Sequence, residues 1–164
     1  MGKAKVDGAV KETRELDFTL TDQASEEDRG FIHHQLKAFN ASVSGHHRAL
    51  RGSGPTPLDV FIRDSQDRIW GGLTASTYWD WLEIDDLWLD ESLRGLGYGR
   101  KLLTMAEAEA KARGCSHAFL QTFSFQARGF YEKLGYREVG CLDDYPPGQK
   151  FFWMRKDFYG LASY

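Results

Sequence analysis

Leu87-Trp88-Leu89-Asp90-Glu91-Ser92-Leu93-Arg94-Gly95-Leu96-Gly97-Tyr98-Gly99 is the stretch that decides the fold. It reads as an apolar strand, then a turn with three glycines in five residues, then a helix from Tyr98 to Arg113. Glycine tolerates φ > 0 and lets the backbone approach a ligand closely. The first helical turn offers N–H groups without intrahelical partners and the positive end of the helix dipole, which together suit a phosphate. Arg94, Arg100 and Lys101 add positive charge at the same place. Gly95, Gly97 and Gly99 are spaced G-x-G-x-G, unlike the dinucleotide pattern G-x-G-x-x-G, and Gly99-Arg100-Lys101 lacks the Gly-Lys-Ser/Thr of a P-loop. The turn reads as a phosphate cradle outside both patterns.

Working outward, Leu16, Phe18 and Leu20 alternate with polar residues and predict a strand over Leu16–Thr21. Ser25 is placed to cap a helix whose first turn is acidic, and Phe31, Ile32, Leu36 and Phe39 follow at helical spacing. Ser42–Pro57, rich in Gly, Ser, His and Pro, reads as a loop. Strands follow at Leu58–Ile62, Ile69–Tyr78 and Trp81–Leu89, with a turn at Asp64–Asp67; Gly71-Gly72 marks a bulge or a close backbone approach. In the helix after the glycine turn, Leu102, Leu103, Ala106 and Ala110 share a side, Glu107 and Lys111 are spaced as an i,i+4 pair, and Gly114 is a stop. His117–Thr122 is a short strand. Ala127, Phe130, Tyr131 and Leu134 fit a second helix ended by Gly135, and strands at Arg137–Leu142 and Lys150–Arg155 close the chain. The order β-α-β-β-β-α-β-α-β-β predicts an α/β (α+β) fold, a mixed, largely antiparallel sheet flanked by helices. Residues 1–14 are expected to be a flexible segment and 15–164 a single domain.

The 164 residues are 41% hydrophobic and 27% charged, the composition of a soluble globular protein. No apolar run is long enough for a membrane span and the N-terminus carries no secretory pattern, so a cytoplasmic location without membrane association is expected. Cys115 and Cys141 lack CxxC spacing and read as reduced thiols. A net charge of −3 gives no footprint for nucleic acid. The charge is uneven: Asp80, Glu83, Asp85, Asp86, Asp90 and Glu91 lie in residues 80–91, which hold no Lys or Arg, and the sign reverses at Arg94. An acidic patch beside a phosphate turn suits a cationic substrate meeting an anionic one; a solvated strand edge is the alternative. His33-His34 and His46-His47 have no metal-ligand spacing, so no metal is expected. Tyr78, Trp79, Trp81 and Trp88 are either core or a face for a cation.

Two segments resemble the GNAT superfamily of acyl-CoA-dependent N-acyltransferases. Leu87–Gly99 resembles that family's strand and its Arg/Gln-x-x-Gly-x-Gly/Ala pyrophosphate loop. Ala127-Arg128-Gly129-Phe130-Tyr131-Glu132-Lys133-Leu134-Gly135-Tyr136 is similar to its late helix and Phe-Tyr-Glu-x-Leu-Gly-Phe pattern. The element order agrees over residues 16–156. Many members carry Asn three residues before the Ala of the second motif, where this chain has Ser124; Ser124 is expected to cap the helix or to offer its hydroxyl to the cofactor.

The resemblance implies acetyl-CoA as co-substrate and direct transfer of its acetyl group to a primary amine in a ternary complex. Backbone N–H groups of Leu96, Gly97, Tyr98, Gly99 and Arg100 would hold the pyrophosphate, with Gly95 shaping the turn and Arg94 shaping it or touching phosphate. The main chain at Leu87, Trp88 and Leu89 would pair with the pantetheine arm, and an N–H near Leu87 would face the developing oxyanion. Tyr131 is the candidate acid for the leaving thiolate. The base is Glu83, or Asp85 or Asp86, or a water chain; Asp85 shares the Glu83 face by period two unless a bulge intervenes. The acceptor is expected to be a small cationic amine, with a protein lysine or N-terminus, or a non-catalytic acyl-CoA sensor, as alternatives. By family analogy a homodimer is expected.

Overall fold

The computed structural model describes residues 16–45 and 54–159. The flexible segment expected at 1–14 and residues 46–53 of the expected loop, His46 and His47 among them, lie outside the described residues. The chain divides into two compact units, Met1–Arg48 and Ala49–Tyr164.

In the first unit, helix α1 spans Glu26–Val43. Ser25 caps it as expected: its Oγ accepts from the Asp28 N–H at 3.0 Å and donates to the Asp28 carboxylate at 2.7 Å. The strand expected at Leu16–Thr21 is absent; those residues have no regular structure. Alternation defines a face, but a strand exists only when its backbone groups find a neighbouring ladder, and among the described residues none pairs here.

The second unit is a seven-stranded sheet made of β1 (Thr56–Pro57), β2 (Val60–Arg63), β3 (Ile69–Tyr78), β4 (Trp81–Leu89), β5 (His117–Phe123), β6 (Arg137–Asp143) and β7 (Lys150–Asp157). Its order is β1-β3-β4-β5-β7-β6, with β2 pairing the same strand as β1. Every pairing is antiparallel except β4 with β5. Parallel neighbours need a crossover, supplied by helix α2 (Tyr98–Ala112). A one-turn helix α3 (Arg128–Glu132) follows β5.

The strand expected at Leu58–Ile62 starts later, at Val60 in β2, and the end of the expected loop forms the separate two-residue strand β1. The Leu58 N–H bonds the Ala75 carbonyl at 2.8 Å, and the Asp59 carboxylate then accepts from the Ala75 N–H at 3.3 Å, interrupting the ladder between β1 and β2. Gly71 and Gly72 mark close approaches: a Cβ at Gly71 would lie 2.6 Å from the Leu89 side chain, and one at Gly72 2.9 Å from the Phe61 ring.

The core joins one sheet face to α2. Leu73, Leu82, Leu103, Leu120 and Met154 are its largest fully buried side chains, and Leu102, Ala106 and Ala110 pack from the helix. Burying a Leu-sized side chain is worth about 1.5–3 kcal/mol. Glu107 does not pair with Lys111. It points inward, accepting from the Tyr136 hydroxyl at 3.0 Å and from Lys156 Nζ at 2.6 Å, while the Lys111 ammonium lies over the Phe158 ring. A buried carboxylate outweighs an exposed i,i+4 pair here because unpaired burial costs far more than such a pair gains.

Two irregularities open the sheet. Thr74 pairs Asp86 and Ala75 pairs Ile84, leaving Asp85 as an extra residue in β4. This bulge shifts the inward positions from Leu82 and Ile84 to Leu87 and Leu89. The β4–β5 ladder also stops there, its last pair being Ile84 with Leu120. Beyond that pair, residues 85–89 and 121–123 are parallel neighbours without a common ladder.

Candidate active site

A cleft of about 760 Å³ occupies that gap. Asp85, Asp86, Leu87, Trp88 and Leu89 form one wall and Gln121 and Thr122 the other. Arg94, Gly95, Gly97, Gly99 and Arg100 line one end, and Gln126, Ala127, Phe130 and Tyr131 another part of the wall. Strand, glycine turn and late helix, far apart in sequence, thus meet around one volume.

The turn is built by its backbone. Asp90 caps a short 3₁₀ turn at Glu91–Leu93, and hydrogen bonds from the Ser92 hydroxyl and N–H hold its carboxyl below the usual range. Arg94 reaches back, Nε donating to the Leu89 carbonyl at 3.2 Å, and its guanidinium sits 3.8 Å from Glu91. Gly95 and Gly97 have φ of 74° and 87°, the left-handed region that favours glycine. Gly97 is the N-cap of α2, with no side chain capping the helix. The first helical bond runs from the Lys101 N–H to the Gly97 carbonyl at 3.1 Å, so the N–H groups of Tyr98, Gly99 and Arg100 precede the ladder. A Cβ added at Gly95 or Gly97 would meet nothing within 4 Å, so their main chain is open to a ligand. Gly99 acts differently: its missing Cβ admits the Phe130 ring, which would lie 3.3 Å away, and locks α2 against α3. Uncapped amides at a helix N-terminus, beside Arg94 and Arg100, fit a diphosphate by charge and by donor supply.

The remaining site residues divide. Asp85 lines the cleft, and burial, with Asp86 and Asp59 nearby, pushes its carboxyl above the usual range. Glu83, exposed as Asp85 is, is not part of the cleft wall; it precedes the bulge, on the face away from Leu82 and Ile84. Period two put Glu83 and Asp85 on one face, and both lie on the exposed side of β4; the extra residue changes the phase only beyond Asp85, adding Asp86 to that side. Tyr131 is buried at 8% exposure, with its phenol pushed above its ordinary pKa by burial, and its hydroxyl makes no hydrogen bond among the described residues. Leu96 and Tyr98 do not line the cleft with their side chains.

Ser124 neither caps α3 nor lines the cleft. Its Oγ donates to Gln149 at 2.6 Å and accepts from the Lys150 N–H at 3.0 Å, tying the end of β5 to the start of β7. The residue that sequence reasoning missed is Gln126. Its Oε1 accepts from the Phe123 N–H at 2.8 Å and from Thr122 Oγ1 at 3.3 Å, leaving the amide NH₂ as a donor beside the cleft. Its signal was only proximity to the second motif. The aromatic group proposed from sequence is dispersed: Tyr78 stacks on Trp79, Trp81 lies between His117 and Arg155, and Trp88 alone reaches the cleft. Cys115 and Cys141 are free thiols outside the cleft. No helix among the described residues is long and apolar enough to cross a membrane.

The model of the acetyltransferase (GNAT) family matches residues 16–136. An acetyltransferase of Agrobacterium fabrum is 34% identical over 143 residues, covering 87% of this chain and all of its own. The blasticidin-S acetyltransferase of Streptomyces morookaense is 38% identical over 121 residues, 70% of this chain and 89% of its own. The crystal structure of an acetyltransferase from Bacillus cereus superposes with a TM-score of 0.75 at 32% identity, covering 85% of this chain and 97% of that one. With family pattern, relatives and fold in agreement around one cleft, the chain belongs to the acetyltransferase (GNAT) family.

Proposed function

We propose that the protein transfers the acetyl group of acetyl-CoA to the primary amine of a small cationic acceptor, directly and within a ternary complex. The observation that carries this reading is the meeting, in one cleft, of an uncapped helix N-terminus with Asp85 and Tyr131. The amides of residues 97–100 and Arg94 hold the diphosphate, and Gln126 donates to the amide-bearing arm. The β5-facing edge of residues 85–89 offers the arm main-chain groups in the manner of an added strand. An alkylammonium is protonated near neutrality, so Asp85, a stronger base than an ordinary aspartate, takes its proton. The amine nitrogen then bonds the acetyl carbon, the carbon–sulfur bond breaks, and Tyr131 gives its phenolic proton to the leaving sulfur. The nitrogen, cationic after attack, passes its second proton through water to the Tyr131 phenolate, which restores the acid, and the proton held by Asp85 returns to solvent. Acidic residues at the cleft favour a cationic acceptor, and the relative named for blasticidin S supports a small-molecule one.

A thiol-release assay with acetyl-CoA and a panel of small amines tests the reading. Turnover with cationic amines is expected. Coenzyme A binding with no turnover of any amine contradicts it and favours a sensor, and turnover confined to peptides contradicts the small-molecule acceptor.

A further inference from the structure

Beside the cleft lies a wall of five rings. Phe123 stacks on Phe125 with centroids 5.1 Å apart and planes within 7°. It meets Phe151 at 4.8 Å and Tyr145 at 6.4 Å, and Phe151 meets Trp153 edge-on at 5.1 Å. The wall is open to solvent, Phe125 being 61% and Tyr145 55% exposed. Elsewhere in this unit rings are covered by the chain's own cations: Trp70 lies under Arg68, Trp81 under Arg155 and Phe152 under Arg128. Among the described residues no cation covers a ring of the wall.

The wall is continuous with the cleft. Gln121 and Phe123 share the sheet face opposite α2, as do their register partners Trp153 and Phe151. Gln121 lines the cleft, and Gln126, also in the cleft, bonds the Phe123 N–H. Asp85 and Gln121 line opposite walls of the cleft. Phe123 is two residues beyond Gln121 along β5, roughly 7 Å at the rise of a strand.

We infer that the acceptor amine is carried on a planar aromatic or heteroaromatic ring, and that Phe125, Tyr145 and their neighbours bind that ring and set acceptor specificity. The inference rests on the acetyl-transfer reading for its reaction, but not for its binding contacts. Offset stacking rewards a flat ring over a saturated body of the same size, and the acids already supply the charge complement for the amine.

The test uses the full chain, 2-phenylethylamine as probe, and 2-cyclohexylethylamine and n-butylamine as controls. Binding is measured by calorimetry in the presence of coenzyme A, and turnover by thiol release. The expected result is an affinity for 2-phenylethylamine about tenfold above either control. Phe125→Ala and Tyr145→Ala are expected to abolish that preference with the acetyl-CoA KM unmoved, and Phe125→Leu, which keeps bulk, to lose it as well. Equal affinity of the wild type for planar and saturated amines, or variants that keep the wild-type ring preference, overturns the inference. Ring-selective binding without turnover upholds the wall and refutes acetyl transfer; turnover of alkyl amines without ring preference does the reverse.

Discussion

Tyr131→Phe removes one oxygen from the cleft and almost nothing from the fold. The ring is buried and packs edge-on against Phe130 at 5.1 Å and Tyr136 at 5.9 Å, and both contacts survive in phenylalanine. The hydroxyl has no hydrogen bond to lose among the described residues. A buried donor without a partner costs about 1–3 kcal/mol, so its removal leaves stability unchanged or slightly higher. Catalysis responds differently. Burial holds the phenol above its ordinary pKa of 10.0, so it is protonated across the neutral range and available as an acid. A positioned general acid contributes roughly 10²–10⁴ in rate, or about 2.7–5.4 kcal/mol at 1.36 kcal/mol per decade. Steady-state thiol release at pH 8 is therefore expected to show kcat lowered at least about 100-fold, with the acetyl-CoA KM within about twofold. A thermal melt on the same preparation is expected to show no loss of Tm. An unchanged kcat refutes the acid role, and a lower kcat accompanied by a lower Tm refutes the claim that only chemistry was removed.

Gly97→Ala places a Cβ in open space but on a left-handed backbone, costing about 1–2 kcal/mol; calorimetry is expected to show weaker acetyl-CoA binding, and the wild-type affinity would show that this conformation is dispensable. Asp85→Asn is expected to lower kcat/KM for the amine about 100-fold, and Glu83→Gln to leave it within about threefold. In the wild type, activity is lost as pH falls through a carboxyl pKa above the ordinary aspartate range; pH profiles of the two variants check that Asp85→Asn alone removes this limb. Asp64, bonded first by the Trp70 indole and then by the Arg68 N–H, has its pKa lowered from 3.8 to about 2. Its contribution to stability is present above the unfolded value and lost as pH falls through the folded one, so Asp64→Asn is expected to lower Tm at pH 7 and to match the wild type near pH 2.

Much of the sheet was legible because its signals are local. The Asp64–Asp67 turn and the full extents of β3 and β4 follow from alternation and turn residues, and the apolar side of α2 from its helical period. The glycine turn was legible because positive φ at Gly95 and Gly97 demands a residue that composition displays. What escaped depends on pairing across distance. The strand expected at Leu16–Thr21 needed a ladder that alternation cannot supply. The bulge at Asp85 exists only in register with Thr74 and Ala75, yet it lies where Asp85 and Asp86 line the cleft. Glu107 looked like half of a surface pair because Tyr136 and Lys156, its partners, arrive from other elements. Ser124 was read against a helix it does not cap, whereas its bonds run to the start of β7. The ring wall combines β5, the β6–β7 turn and β7, which no single segment displays.

The central claim is that main-chain amides at the start of α2 grip the diphosphate of the acyl donor. Calorimetric titration of the purified chain with acetyl-CoA, and in parallel with S-acetylpantetheine, which keeps the thioester and arm but lacks the diphosphate, tests it directly. Binding of acetyl-CoA at least about 100-fold tighter is predicted, since charge-assisted donors at a helix terminus contribute several kcal/mol together. Equal affinities, or no heat with acetyl-CoA, would contradict it.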